Sequence, residues 1–256
     1  MVRIFIDPGH GGRDSGAIGN GLQEKNITLQ ISQCIRDYLL SDYHNVEVNM
    51  SRTSDTFVSL SDRSRKANQW SADYFVSIHI NAGGGTGFES YVHSSRVQRT
   101  VSLQTIIHKL IMSHVNVVDR GRKSANFAVL RHTSMPAILT ESAFIDHTRD
   151  AENLKRIAFI RQVARGHVEG MVQAFDLKRK ANSLSSDRLF KVQSGSFQKH
   201  QNAVDLKNRL EQQGYQAYFQ FEASFYRVQV GAFSKRENAD SLANELRNRG
   251  FDAIIV

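Results

Sequence analysis

Over the first 176 residues, short apolar runs alternate with amphipathic stretches. The runs at 2–6, 46–50, 73–80, 88–92, 127–130 and 137–140 have the length of strands. The stretches at 27–40, 60–70, 101–114 and 153–175 carry apolar residues at helical spacing. In the first of these, Ile27, Ile31, Ile35 and Leu39 form one stripe four residues apart, with Asn26 as the expected N-cap. Strand–helix alternation predicts an α/β layer domain: a mostly parallel open sheet with flanking helices.

The pattern changes after residue 187 and then repeats itself. Phe190-Lys191-Val192-Gln193-Ser194-Gly195-Ser196-Phe197 lies over Tyr226-Arg227-Val228-Gln229-Val230-Gly231-Ala232-Phe233 at a spacing of 36 residues. The match continues through Ala203 with Ala239, Leu206 with Leu242, Leu210 with Leu246, Gly214 with Gly250 and Ala217 with Ala253. Roughly a dozen identities in about thirty positions mark a duplication. Each copy predicts strand, helix and strand, with Gly214 or Gly250 ending the helix. One copy cannot bury a sheet face alone, so the two are expected to share a four-stranded sheet with both helices on one side. This is a small α+β domain of β-α-β-β-α-β order.

Between the two parts, residues 177–187 are polar and Ser-rich without period, which predicts a linker. The expected organisation is therefore a first domain at 1–176, a linker at 177–187, and a domain at 188–256 made of repeats at about 188–223 and 224–256. With 256 residues, 40% hydrophobic and 23% charged, the chain is long enough for both cores and excludes collagenous or disordered classes. Its single cysteine, Cys34, excludes an intrachain disulfide and reads as a buried helix residue. No apolar run reaches membrane-spanning length and no secretory leader precedes Asp7, so membrane insertion is not expected and synthesis is expected in the cytoplasm. The net charge of +8 divides as +4 over 1–175, +2 over 176–186 and +2 over 187–256. Charge this thinly spread suits an anionic matrix rather than a dedicated nucleic-acid partner.

In open α/β sheets, ligands collect at the carboxyl ends of the strands. Three expected strands end there in chemistry: Asp7-Pro8-Gly9-His10-Gly11-Gly12, then His79-Ile80-Asn81, then Glu141. His10 and His79 could hold a metal together with one carboxylate, which Glu24 can supply if the Gly-rich stretch 11–21 loops back. Glu141 would then be free to take and deliver a proton. No compact local metal signature such as His-Glu-x-x-His is present, so the residues alone leave a hydrogen-bonded core histidine as the alternative at each position. Gly83-Gly84-Gly85 lacks the Lys-Ser/Thr of a phosphate loop and reads as a turn.

Taken in order, Asp7-Pro8-Gly9-His10-Gly11-Gly12, Glu24 with Asn26, Ser51-Arg52-Thr53 with Asp55, Leu60 and Arg63, Ser77-Ile78-His79-Ile80-Asn81-Ala82 and Thr140-Glu141-Ser142-Ala143-Phe144-Ile145 resemble the zinc-dependent N-acetylmuramoyl-L-alanine amidases of bacterial cell walls. The duplicated unit resembles the sporulation-related repeat (SPOR) domain that binds peptidoglycan. The combination is similar to the sporulation amidases of endospore-forming bacilli that lyse the mother cell. The resemblance implies one Zn²⁺ on His10, Glu24 and His79, with Glu141 as general base and acid. It implies hydrolysis of the amide joining the lactyl group of N-acetylmuramic acid to the L-alanine of the stem peptide. The partner implied is peptidoglycan, with no obligate protein partner, and the enzyme would reach the wall by lysis or non-classical export. Asn81 and Arg131 are candidates to face substrate, with structural hydrogen bonding the alternative for each. His147 departs from the family, whose members often carry Asn there; this bears on a local loop contact.

Two rival readings come from other classes. One is a catalytically weak wall-binding or regulatory protein on the same fold, against which the intact Glu141 argues. The other is an RNA-recognition module in the C-terminal domain, against which its small charge and missing RNA-type aromatic run argue. Phe197 and Phe233 are the candidates there to stack on sugar faces.

Overall fold

A computed structural model describes residues 1–180, 189–222, 225–233 and 236–256. The chain separates into two units, Met1–Ser183 and Leu184–Val256, each with its own core.

The first unit is built on a six-stranded sheet of β1 (Val2–Pro8), β4 (Val46–Met50), β5 (Tyr74–Asn81), β6 (Phe88–His93), β7 (Asp119–Ala125) and β8 (Ala137–Phe144), in the order β4-β1-β5-β8-β6-β7. All pairings are parallel except that of β6 with β8. A small hairpin of β2 (Ile18–Gly19) and β3 (Leu22–Gln23) precedes the first helix. The long helices α1 (Glu24–Asp42), α3 (Gln98–His114) and α6 (Ile157–Phe175) pack together over one sheet face. Among the described residues of this unit, the short helices α2 (Leu60–Gln69) and α4 (Ala128–Arg131) cover the other, and α5 (Thr148–Leu154) follows β8.

The two-residue period of the strands sorts their side chains between these faces. Ile4, Ile6, Tyr74, Val76, Ile78, Phe88 and Ile138 enter the core under the three long helices, whereas Phe5, Phe75, Ala137 and Leu139 meet α2 and α4. The second set is odd-numbered, and its phase carries Asp7, His79, Asn81, Glu89, Tyr91 and Glu141 onto the same thinly covered face. That face is therefore open at the carboxyl rim.

The structure revises several sequence expectations. Residues 127–130 are not a strand: Phe127 leads into α4, an apolar run too short for periodicity to assign. The strand beside it is β7, whose sequence DRGRKSA has no apolar alternation because it is a charged edge. The helix expected at 153–175 is two, α5 and α6, parted at Lys155 and Arg156. Asn26 is not the N-cap of α1; that position is Gln23, without a side-chain cap. The helix start is satisfied instead by the preceding loop, with Glu24 N donating to the Ala17 carbonyl at 2.9 Å and Lys25 N to that of Ser15 at 3.1 Å. The half-buried Cys34 lies in α1 against the core. Residues 177–180, read as linker, are tied to the first unit: Leu177 is buried, His44 N donates to the Lys178 carbonyl and Lys180 N to that of Asp42, both at 2.8 Å. The rest of the expected linker, 181–187, and the repeat boundary at 223–224 lie outside the described residues.

The second unit is an antiparallel sheet of β9 (Phe190–Phe197), β10 (Tyr218–Glu222), β11 (Phe225–Phe233) and β12 (Ile254–Ile255) in the order β10-β11-β9-β12. Helices α7 (His200–Gln212) and α8 (Arg236–Asn248) pack on it. Residues 36 apart occupy equivalent core places: Val192 and Val228, Ala203 and Ala239, Leu210 and Leu246, Ala217 and Ala253 are all buried. No helix among the described residues is long and apolar enough to cross a membrane.

Candidate metal centre and catalytic cleft

The sequence-predicted residues His10, Glu24 and His79 converge. Glu24 is the first residue of α1, and the 11–21 loop brings it back beneath His10. Its Oε2 lies 3.2 Å from His10 Nε2 and its Oε1 3.0 Å from His79 Nδ1. One donor atom from each of the three falls within 4.8 Å of the others. Glu24 is itself held by the backbone, accepting from Ala17 N on Oε2 and Ile80 N on Oε1, both at 2.9 Å. Burial, the largest influence on Glu24, pushes its carboxyl up, but His10 and His79 together win and hold it far below the usual range. Burial pulls His10 down, and Glu24 and Asp14 outweigh it to leave the ring raised.

Asp14, which carried no role in the sequence reading, fixes the His10 ring. Its Oδ2 is 2.9 Å from Nδ1, which leaves Nε2 facing Glu24. A carboxylate behind a histidine in this way orients a metal ligand and raises its basicity. The surrounding space is shaped to the cluster: a Cβ added at Gly16 would sit 2.5 Å from Glu24 Oε2 and 2.6 Å from the His10 ring, and one at Gly9 would sit 2.4 Å from the His79 ring.

Glu141 lies beside His79 in the register of β5 with β8. Its Oε2 is buried and makes no hydrogen bond. Burial first, then the charges of Glu24 and Glu89, push this carboxyl well above its ordinary value. With His10, His79 and Asp14 it lines a cavity of about 330 Å³ whose apolar walls include Phe57, Phe127 and Leu139. A few convergent polar groups in a largely apolar cleft are the usual form of a small-molecule site.

Beneath the cleft, Asp7 is fully buried and accepts from Ser51 Oγ at 2.6 Å, Arg63 Nη1 at 2.8 Å and Ser77 Oγ at 2.8 Å. Arg63 also donates to the carbonyls of Pro8 and His10, at 2.6 and 2.7 Å. Arg52 donates to those of Pro8, Gly9 and Lys25. Both arginines stood in the sequence motif without a role; an aspartate inside a strand with two arginines downstream was the available signal, since a buried carboxylate requires a cation.

The other predicted residues fare differently. Asn81 reaches the rim, but its amide is spent on Glu89 Oε1 at 2.8 Å and on Ala82 N at 2.8 Å. Arg131 is not brought to the cleft: it binds Asn126 and borders a separate groove with His93 and Thr133. His147 caps α5, its Nδ1 accepting from Asp150 N at 3.4 Å. Gly83 and Gly84 donate to Asp146 Oδ2 at 2.7 and 2.9 Å, as befits a turn. In the second unit, the half-buried rings of Phe197 and Phe233 fold over Gly195 and Gly231 beside Leu206 and Leu242, on the helix side of the sheet. A glycine two residues earlier leaves a socket on that face, so both rings serve the core. Lys191, Gln193, Gln220 and Gln229 instead border a small polar pocket.

Two imidazoles and a carboxylate converging at a strand rim, with a further carboxyl lining the same cavity, define the class of site that metal-assisted hydrolases use. The comparisons agree. The family model described as N-acetylmuramoyl-L-alanine amidase matches residues 4–173, and that of the SPOR domain matches 186–256. The sporulation-specific N-acetylmuramoyl-L-alanine amidase of Bacillus subtilis strain 168 is 52% identical over 215 residues, covering 84% of this chain and 83% of its own. The amidase CwlM of Bacillus licheniformis is 52% identical over 217 residues, covering 85% and 84%. Among solved structures, the catalytic domain of CwlV from Bacillus (Paenibacillus) polymyxa var. colistinus superposes with a TM-score of 0.66 at 32% identity, covering 70% of this chain and all of that one. The chain belongs to the N-acetylmuramoyl-L-alanine amidase family.

Proposed function

We propose that this protein is a peptidoglycan hydrolase that cuts the amide between the lactyl group of N-acetylmuramic acid and the L-alanine of the stem peptide, in the wall turnover of sporulating cells. The observation that carries this reading is that Glu141, whose Oε2 is buried without a hydrogen bond, lines the same cavity as His10 and His79 of the His10–Glu24–His79 cluster.

The donor set of two imidazole nitrogens and one carboxylate suits Zn²⁺. When bound by His10, Glu24 and His79, the ion supplies Lewis-acid polarisation of a carbonyl and activation of water. Asp14 keeps His10 in the tautomer that offers Nε2 to a cation. Glu141 has two duties. It takes the proton of the attacking water and delivers it to the alanine nitrogen, which otherwise would leave as an unfavourable amide anion. Its pKa, raised by burial and by Glu24 and Glu89, favours the protonated form that the second duty needs. A positive charge on the neighbouring ligands opposes that shift and gives the first duty its base. Phe57, Phe127 and Leu139 give the cleft apolar walls.

The second unit is proposed to hold the enzyme on the wall. Its family match and the polar surface of Lys191, Gln193 and Gln220, groups suited to hydrogen-bonding sugars, support that role.

Digestion of purified peptidoglycan, with chelator and with zinc restored, tests the activity by mass spectrometry of the new ends. Metal-dependent appearance of free N-terminal L-alanine is expected. Binding to wall without cleavage would overturn the enzymatic reading.

A further inference from the structure

On the site face, a row of side chains continues across the sheet past Glu141. His79 is the register partner of Glu141, and Glu141 is the register partner of Glu89 in the antiparallel pair of β6 with β8. With strands about 4.8 Å apart, Glu89 stands one strand beyond Glu141 and β7 two. Glu89 is 3% exposed and fully satisfied: its Oε1 accepts from Asn81 Nδ2 at 2.8 Å and the Tyr91 hydroxyl at 2.6 Å, its Oε2 from Arg120 Nε at 2.8 Å and Lys123 Nζ at 2.5 Å. Burial would raise this carboxyl, but Lys123, Tyr91 and Arg120 bring it down to about 2, so it is an anion at working pH.

Two cations on one carboxylate leave a surplus positive charge on the site face, one to two strands along the sheet from Glu141. Both side chains remain about one-third exposed, Arg120 at 35% and Lys123 at 36%. Arg120 spends only its Nε on Glu89; among the described residues its Nη1 and Nη2 make no hydrogen bond. The guanidinium lies 4.9 Å from the Phe144 ring, which steadies its plane. A planar fork with two terminal nitrogens unspent is matched to a carboxylate.

Peptidoglycan stems present such a group close to the bond at issue. The residue after L-alanine is a glutamate joined through its side-chain carboxyl, which leaves its α-carboxyl as a free acid or an amide. Five bonds separate that carboxyl carbon from the scissile nitrogen, about 6 Å of extended chain. This length falls between one and two strand spacings, about 5–10 Å, the range that separates Glu141 from a cationic pair whose side chains reach back from β7 to Glu89.

We propose that Arg120 and Lys123, fixed by the buried Glu89, receive the α-carboxylate of that glutamate and set a preference for the free acid over the amide in the departing peptide. The proposal rests on the amidase reading and adds a specificity determinant to it.

The test compares two soluble muramoyl peptides that differ only in a free or amidated α-carboxyl at this glutamate, by kcat/KM with the full-length zinc-loaded protein. The free acid is expected to be favoured roughly 10- to 100-fold, the worth of hydrogen bonds to a charged group. Arg120→Gln should bring the ratio near unity, and Arg120→Lys should restore part of it. A merely structural role around Glu89 would slow both substrates alike and leave the ratio unchanged. Equal kcat/KM for the two substrates in the unsubstituted protein, or an unaltered ratio in Arg120→Gln, overturns the proposal and leaves the amidase reading standing. If neither substrate is cut, the amidase reading fails and this proposal with it. Should Arg120→Gln fail to fold by circular dichroism, Lys123→Gln and the ratio in the unsubstituted protein carry the same decision.

Discussion

Arg63 donates from Nη2 to the carbonyl of His10 at 2.7 Å, and His10 has a backbone φ of 61°. A non-glycine residue in the left-handed region costs of order 1 kcal/mol and persists only where its surroundings enforce it. The enforcement here comes from an arginine whose charge is in turn balanced by the buried Asp7 at 2.8 Å.

That relationship predicts two separable effects of Arg63→Met. Unfolding in urea should show a loss of about 3–5 kcal/mol, the cost of leaving a buried charge alone. Zinc affinity, followed by competition with a chromophoric chelator, should fall roughly 10- to 100-fold because the His10 loop loses its clamp. The double variant Asp7→Asn, Arg63→Met should be more stable than the sum of the single losses. Strict additivity would show that the pair does not act as a unit.

Gly16 and Gly21 make a matched comparison in one loop, with φ of 63° and 77°. A side chain at Gly16 collides with Glu24 and His10, whereas one at Gly21 meets nothing within 4 Å. Gly21→Ala should therefore cost only backbone strain, about 1 kcal/mol, and keep its metal. Gly16→Ala should lose both metal and activity. Metal content by atomic absorption and release of amino groups from wall separate the two cases.

Glu141→Gln preserves shape and removes the transferable proton. Zinc and wall binding should survive, while release of L-alanine amino groups should drop at least about 100-fold. Undiminished release would remove Glu141 from the chemistry.

His167 is fully buried on α6, its Nε2 2.9 Å from Thr140 Oγ1 and its Nδ1 2.8 Å from the Val163 carbonyl. Burial lowers it to about 4, against a partial rise from Val163. Because the unfolded chain binds a proton near pH 6.5 and the folded one does not, stability from this group is complete above about 6.5 and is lost as pH falls toward 4. The loss is on the order of 3 kcal/mol. Urea midpoints measured between pH 7.5 and 4.5 should show it, and His167→Met should flatten that part of the profile.

The two units have independent cores, so removing residues 184–256 should leave a folded first unit. Cleavage of small soluble muropeptides should be unchanged and action on intact sacculi weakened. Equal rates on sacculi would deny the second unit its targeting role.

Much of this molecule was legible along the chain because its signals are periodic or adjacent. The apolar runs of β1, β5 and β8 and the stripe on α1 announce their elements, and the ends of those strands name His10, His79 and Glu141. The duplication of Val192, Ala203 and Leu210 at 36 residues announces the second unit. β7 escaped because its charges serve Glu89 and an exposed edge, not a core. Residues 127–130 misled because four apolar residues fit a strand and a helical turn equally.

The layered α/β unit, the repeated companion and the rim on which the chemistry lies follow from the order of residues along the chain, since a two-residue or 3.6-residue period dictates which side chains share a face. Which distant groups meet on that face was left to the folded chain. It put Asp14 behind His10, Arg63 across Asp7 and the His10 carbonyl, and Glu89 with its two cations beside Glu141, and it turned Phe197 and Phe233 toward the helices. Such meetings depend on strand order, register and the need of each buried charge for a partner, and none of these is written in local spacing.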